Sequence, residues 1–258
     1  MTTDTPRPLI LISNDDGYTY AGIQTLIEVA RPLADIVVVA PAQHQSGMAS
    51  AITTTAPVMA TKISEEPGFT VWSVKGTPAD CVKLACDQLL EGLTPQLVLS
   101  GINHGYNAGL STIYSGTMGA AFEGLAHGLP SIAFSLGDYA LDADFKPCRP
   151  YIARIIGQAL AHGIPAGVCL NVNFPTGEIQ GLKVTTTAMG RWIKEYDHRV
   201  NPFGNDYYWI QGDYVCDDPA DTSTDMYWLE RGWGTVTPCR LDQTAHSALP
   251  AVAHLLQL

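Results

Sequence analysis

No run in this chain approaches the ~20 consecutive apolar residues that a bilayer-spanning helix needs, so a membrane-embedded protein is not expected. Basic residues are scarce. Against 25 Asp and Glu stand 14 Lys and Arg, a net charge of −11, which argues against a nucleic-acid groove that must neutralise many phosphates. The six cysteines include no Cys-x-x-Cys spacing, so a disulfide frame or a zinc site is not expected. Cys81, Cys86, Cys148, Cys169, Cys216 and Cys239 read instead as buried thiols of a reducing compartment. Gly-x-Ser-x-Gly, His-Glu-x-x-His and Gly-x-x-x-x-Gly-Lys-[Ser/Thr] are all missing, which weakens serine-hydrolase, zincin and P-loop readings. Met1 to Pro8 is polar and lacks the apolar core of a signal peptide, so a cytoplasmic location is expected. Neither internal repeats nor low-complexity tracts interrupt the chain.

Hydrophobic content of 46% with 15% charged residues describes a compact globular protein, and 258 residues leave room for one large α/β domain with an extension. The informative stretch is Leu9-Ile10-Leu11-Ile12-Ser13-Asn14-Asp15-Asp16-Gly17. An uninterrupted apolar run bounded by a turn signal reads as a strand buried on both faces of a parallel sheet. The polar cluster then falls at the strand's carboxyl end, where open α/β sheets bind ligands. Asn, Asp and Gly also suit a plain turn. Two adjacent carboxylates, however, repel unless one is protonated or a cation lies between them, and a hard divalent ion resolves that conflict.

Downstream, Ile23, Leu26, Ile27 and Ala30 recur at helical spacing, and Asp35 to Pro41 follows as a second buried strand, completing a βαβ unit. Gln43, His44, Ser46 and Gly47 then lie on a loop at the same sheet edge as Asp15. Ala51 to Val74 reads as a β-hairpin turning at Glu65-Glu66-Pro67-Gly68. Thr77-Pro78-Ala79-Asp80 opens a helix expected to reach about Leu93, with Thr77 as N-cap, and Asp80 is explained as a helix-start residue. The strand from Gln96 to Ser100 runs into a loop rich in Gly and Asn, Gly101 to Gly109, and Tyr114-Ser115-Gly116-Thr117 opens a small-residue helix whose free N–H groups suit an anion. Strands are expected over 129–135 and 168–175, with a helix over 151–161 between them. Asn171 and Asn173 read as bonding neighbouring backbone, with a reach into the cleft as the alternative.

Beyond Leu182 aromatic and charged residues mix, which suggests hairpins leaving the main sheet and a subunit contact. The expected division is a catalytic core over 1–181 and an extension over 182–258 whose last residues pack back on the core.

In a parallel sheet, Asp15 and Asp16, Ser46, Asn103 and the loop from Asn107 to Thr117 converge. Two carboxylates with a hydroxyl and an amide oxygen make a hard-oxygen set for Mg²⁺ or Mn²⁺, one ion per subunit. Such an ion binds a phosphoryl oxygen and lowers the pKa of a water, so phosphoester hydrolysis is the natural chemistry. Asn107, Ser115, Gly116 and Thr117 are the expected phosphate contacts. Asp15 and Asp16 are the catalytic pair, with base, nucleophile or ligand-only roles open for Asp15. His44 and His104 lie on the same loops and could transfer protons, although lone loop histidines are usually solvated bystanders. A non-catalytic nucleotide sensor using the same crevice is the alternative.

On these residues the sequence resembles the stationary-phase survival protein (SurE) family of metal-dependent nucleotidases. The resemblance runs through Ser13-Asn14-Asp15-Asp16-Gly17, Ser46-Gly47, Gly76-Thr77-Pro78-Ala79-Asp80-Cys81, Ser100 to Gly109, Tyr114-Ser115-Gly116-Thr117, Asn171-Val172-Asn173-Phe174-Pro175, Thr224-Asp225 and Val236-Thr237-Pro238. It implies a Rossmann-like α/β fold with a mostly parallel sheet flanked by helices and a C-terminal hairpin extension. It also implies hydrolysis of nucleoside 5′- and 3′-monophosphates, in some members short polyphosphate as well. The same resemblance implies a divalent ion on Asp15, Asp16, Ser46 and Asn103, and homodimers or homotetramers built through the extension. Where the family often has proline before Gly22, this chain has Ala21, after an unusual Tyr18-Thr19-Tyr20 approach.

Overall fold

The computed structural model describes residues 7–257, and its centre is the first apolar run of the sequence. That run is β1 (Leu9–Ser13), hydrogen-bonded in parallel to β2 (Asp35–Pro41) on one side and to β5 (Leu97–His104) on the other. A strand in this position buries both rows of side chains, which is why it carries no polar alternation. Ile10 and Ile12 face one core with α1 (Ala21–Ala30) and α4 (Arg149–His162). Leu11 faces the other, beneath α2 (Pro78–Leu84) and α3 (Gly116–Ala126).

The remaining strands are β3 (Met59–Glu66), β4 (Phe69–Lys75), β6 (Ser131–Leu136), β7 (Cys169–Phe174), β8 (Leu182–Val184) and β13 (Gly234–Cys239). Together they form a nine-stranded sheet in the order β3-β4-β2-β1-β5-β6-β7-β13-β8. All neighbours from β4 to β7 run parallel, whereas β3 is antiparallel to β4 and β13 is antiparallel to β7. The chain leaves β1 toward β2 through α1 and leaves β5 toward β6 through α3, in opposite directions. A crevice therefore opens between the carboxyl ends of β1 and β5, the switch point at which such sheets bind ligands.

Outside the main sheet, β9 (Gly190–Ile193) pairs with β12 (Asp213–Cys216), and β10 (Tyr196–Val200) pairs with β11 (Asp206–Ile210). The latter hairpin exposes Tyr196, Val200, Tyr208, Trp209 and Ile210. Two short helices, α5 (Asp225–Leu229) and α6 (Leu249–Leu255), complete the extension. All six cysteines are free thiols, and no helix among the described residues is long and apolar enough to cross a membrane.

Three sequence-based boundaries shift. The strand expected to end at Ser100 runs on to His104 as β5, so Asn103 and His104 pair with β6 in the sheet instead of lying in a loop. The hairpin expected from Ala51 begins only at Met59, because Thr53 is tied elsewhere: its N–H and hydroxyl donate to the Asp80 carboxylate at 2.9 and 2.6 Å. The helix expected to reach Leu93 ends at Leu84 and widens into a π-type turn over Ala85–Leu89, after which Leu90 is buried. The start of α2 is as expected. Asp80 N–H donates to the Thr77 hydroxyl at 3.1 Å, and Thr77 N–H donates to Asp80 at 2.9 Å, a reciprocal capping box.

Burial opposes ionisation of Asp80, but donation from Thr53 and Thr77 outweighs it and holds the pKa below the ordinary value. A depressed folded pKa contributes stability above the unfolded value, and that contribution is lost as pH falls through the folded one. Asp80→Ala should therefore cost about 2–3 kcal/mol in urea denaturation at neutral pH, and visibly less under acid conditions.

Candidate active site

At the end of β1, the Asn14 side chain closes the turn on itself: its Nδ2 donates to the Gly17 carbonyl at 3.0 Å and its Oδ1 accepts from Gly17 N–H at 3.2 Å. With Asn14 engaged locally, Asp15 and Asp16 stand just past the carboxyl end of β1, each 3% exposed. Two other segments converge on Asp15, the loop after β2 and the first turn of α3. The Gln45 N–H donates to its carbonyl at 2.7 Å, and the Thr117 hydroxyl donates to its Oδ1 at 2.5 Å. Gly116 lies so close that a Cβ there would stand 2.8 Å from the Asp15 Cβ and 3.2 Å from the Gln45 carbonyl oxygen. Only glycine lets the first turn of α3 approach to this distance.

Asp16 is met from two sides. His44 Nδ1 lies 3.3 Å from its Oδ1, and the His104 ring and main-chain N–H act on it from the end of β5. Its Oδ2 is buried without a hydrogen-bond partner. Burial above all pushes the Asp15 carboxyl up to about 6; the Thr117 hydroxyl opposes the shift and the neighbouring Asp16 charge adds to it. Asp16 is pushed up as well, again chiefly by burial, with His104 and then His44 opposing. Two buried carboxylates and an orphaned oxygen are costly unless a cation joins them, so the site fits a divalent ion.

The two neutral-oxygen residues of the expected ligand set lie on segments next to β1, Asn103 on the paired strand β5 and Ser46 on the loop after β2. The Asn103 amide nitrogen donates to the carbonyls of His104 at 3.2 Å and Gly105 at 2.9 Å, which leaves its Oδ1 as the free end. Ser46 sits on an exposed loop, directly after the Gln45 whose N–H is fastened to Asp15. Among the described residues no group of three or more His, Cys, Asp and Glu forms a cluster that could hold a metal. An ion here would depend on hydroxyl and amide oxygens beside the two acids.

The expected phosphate contacts have structural work as well. Asn107 is buried: its N–H donates to Asn173 Oδ1 at 2.9 Å, its carbonyl accepts from Asn171 Nδ2 at 2.8 Å, and its own Nδ2 donates to the Ser135 hydroxyl at 2.9 Å. Asn171 and Asn173 thus bond a neighbouring loop, in line with the sequence reading. Ser115 caps α3 by accepting from Met118 N–H at 3.0 Å, and the Thr117 hydroxyl proton belongs to Asp15. The N–H groups of Gly116 and Thr117, in the first helical turn, have no intrahelical acceptor and point their partial positive charge out of the helix end.

His44 and His104 had no motif to mark them as more than bystanders. In the structure both face Asp16, with the Tyr20 ring centroid 6.1 Å from that of His44 and 6.4 Å from that of His104. His104 Nδ1 lies 2.8 Å from the Ala140 carbonyl, which makes it the donor, and Nε2 is buried without a partner. The sequence signal available was an expected loop placement, after β2 for His44 and in the Gly101–Gly109 stretch for His104, and the structure instead puts His104 at the last position of β5.

Fold and site together define a Rossmann-like α/β protein with a two-carboxylate, oxygen-rich site at the switch point of its sheet, beside a helix N-terminus. More particularly, the chain belongs to the SurE family: the family model described as Survival protein SurE matches residues 10–194. It is 46% identical over 245 residues to the 5'-nucleotidase SurE of Christiangramia forsetii, covering 93% of this chain and 94% of that one. The 5'-nucleotidase SurE of Cytophaga hutchinsonii is 45% identical over 246 residues, with coverage of 94% and 95%. Among solved structures, the SurE protein from Aquifex aeolicus superimposes with a TM-score of 0.83 at 37% identity, covering 96% of this chain and 99% of that one.

Proposed function

We propose that the protein is a metal-dependent nucleotidase that hydrolyses nucleoside 5′-monophosphates to nucleoside and phosphate, with 3′-monophosphates and short polyphosphate as further substrates. Supporting this reading are the names its relatives carry and one observation above all: a buried pair of adjacent aspartates with an unpartnered Oδ2, set against a helix N-terminus. Asp15, Asp16, Ser46 and Asn103 would hold one Mg²⁺ or Mn²⁺ per subunit. When bound, such an ion neutralises charge on the phosphoryl group and acidifies a water.

The chain's own residues do the rest. Thr117 fixes the Asp15 carboxylate through its hydroxyl, and the N–H groups of Gly116 and Thr117, with Asn107 and Ser115, bind the phosphoryl oxygens. His44 and His104 are the imidazoles facing Asp16, and His104 Nε2 is the atom at which a proton for the departing nucleoside oxygen would be held. Residues 1–181 act as the catalytic core, and the extension over 182–258 joins subunits into a dimer or tetramer through the apolar hairpin β10–β11, in a cytoplasmic protein.

The test is phosphate release from a panel of nucleotides with EDTA, with Mg²⁺ and with Mn²⁺. Release from AMP that EDTA abolishes and the added ion restores is the expected result. Saturable AMP binding in equilibrium dialysis with no phosphate released would favour a nucleotide sensor and overturn the enzyme.

A further inference from the structure

We propose that Asp225 is a positioning residue through which the C-terminal extension holds the Asn107–Thr117 loop in its phosphate-binding shape. The inference rests on the assignment of that loop to phosphate. Asp225 opens α5, about a hundred residues from the loop, and is fully buried. Its carboxylate bridges three segments. Oδ2 accepts from Gly109 N–H at 2.8 Å, and Oδ1 accepts from Ala188 N–H at 2.9 Å and from Met226 N–H at 2.8 Å. Burial pushes the carboxyl upward, and these three main-chain donors, Gly109 first, oppose the shift. A buried carboxylate met by main-chain N–H groups is an orienting device, because the donors cannot rotate away.

The next residue is tied to the same place. Leu110 N–H donates to the Tyr214 hydroxyl at 3.2 Å, and that hydroxyl donates to the Ala188 carbonyl at 2.8 Å. Asn107 is held from the core by Asn171 and Asn173, whereas Gly109 and Leu110 are held from the extension. Gly109 and Leu110 open the 3₁₀ turn Gly109–Ile113, whose Thr112 hydroxyl lies 2.9 Å from the carbonyls of both Asn107 and Gly109, and the turn leads through Tyr114 into Ser115, Gly116 and Thr117. Displacing Gly109 therefore moves both the Asn107 side of the loop and the path to the helix N-terminus.

Asparagine separates this role from a plain structural one. With its single oxygen turned toward Ala188 and Met226, Asp225→Asn keeps two of the three bonds and presents an NH₂ group to Gly109 N–H, donor against donor. The opposite flip would keep one bond and lose two, so the extension stays anchored and the site loop is released. The experiment uses the full chain with Mg²⁺. It measures KM and kcat for AMP, the inhibition constant for inorganic phosphate, and the Mg²⁺ concentration giving half-maximal rate. Hydrogen exchange is followed over residues 105–115 and 184–190.

In Asp225→Asn, KM and the phosphate inhibition constant should rise together by about tenfold, with kcat and the Mg²⁺ requirement within about threefold of the parent and faster exchange confined to the loop. Tyr214→Phe, which removes only the Leu110 acceptor and the bond to Ala188, should move the same constants in the same direction by a smaller factor, and it carries the test if the Asn variant does not fold. Phosphate inhibition that is unchanged in both variants, but weakened in Asn107→Ala, overturns the positioning role alone. Phosphate inhibition unchanged in Asn107→Ala overturns the loop assignment and the positioning role with it.

Discussion

Replacing Asp15 by asparagine should lower phosphate release by about a thousandfold and, in the metal-free protein at pH 7.5, raise thermal stability. Both effects have one cause. Asp15 titrates at about 6 in the folded chain against 3.8 for the ordinary carboxyl, chiefly because burial disfavours its charge. A folded pKa above the unfolded one contributes stability below the unfolded value and loses it as pH rises through the folded value. At pH 7.5 the ionised, buried group thus costs on the order of 2–3 kcal/mol when no cation accompanies it. Asparagine retains an oxygen to accept the Thr117 hydroxyl proton and carries no charge. In EDTA, the variant should melt several degrees above the parent at pH 7.5, with the gap closing near pH 4.5, and added Mg²⁺ should raise the parent's melting point far more than the variant's. A variant that releases phosphate at a near-normal rate, or that melts below the parent in EDTA at pH 7.5, contradicts the assignment.

Gly22→Ala should be the most destabilising small substitution in the first βαβ unit. A Cβ on Gly22 would stand 1.9 Å from the Ile102 carbonyl oxygen, and that oxygen belongs to the backbone of β5, where Ile102 is fully buried. Neither α1 nor the central strand can yield without opening the core between them. A loss of about 3 kcal/mol or more in urea denaturation is expected. Because Ile102 directly precedes Asn103, the surviving folded protein should also need more Mg²⁺ for half-maximal activity. An unchanged urea midpoint would show that the helix can shift away from the strand at little cost.

The first strands were legible because burial on both faces leaves a mark within a few residues: Leu9 to Ile12 and Ile36 to Ala40 carry no alternation for a solvent face. The capping box at Thr77 and Asp80 was legible for the same reason, since a cap involves residues three apart. The hairpin start at Ala51 was misplaced because Thr53 chose a partner 27 residues away. Of the candidate site, the paired aspartates after the first apolar run, the Gly- and Asn-rich stretch holding Asn103 and the helix opening at Ser115 announced themselves through residue type and local position. Their mutual bonds did not.

From the residues alone came the βαβ unit around β1, the acidic pair at its carboxyl end, the glycine-rich approach to α3 and the family resemblance; each depends on neighbours along the chain or on motifs kept in order. Only the tertiary structure decided that the Thr117 hydroxyl serves Asp15, that His44 and His104 both face Asp16, that β13 inserts between β7 and β8, and that Asp225 reaches Gly109. Those partners lie up to 116 residues apart. Their pairing is settled by strand order and register, which arise when separate apolar runs bury one another and leave no trace in the spacing of any single segment.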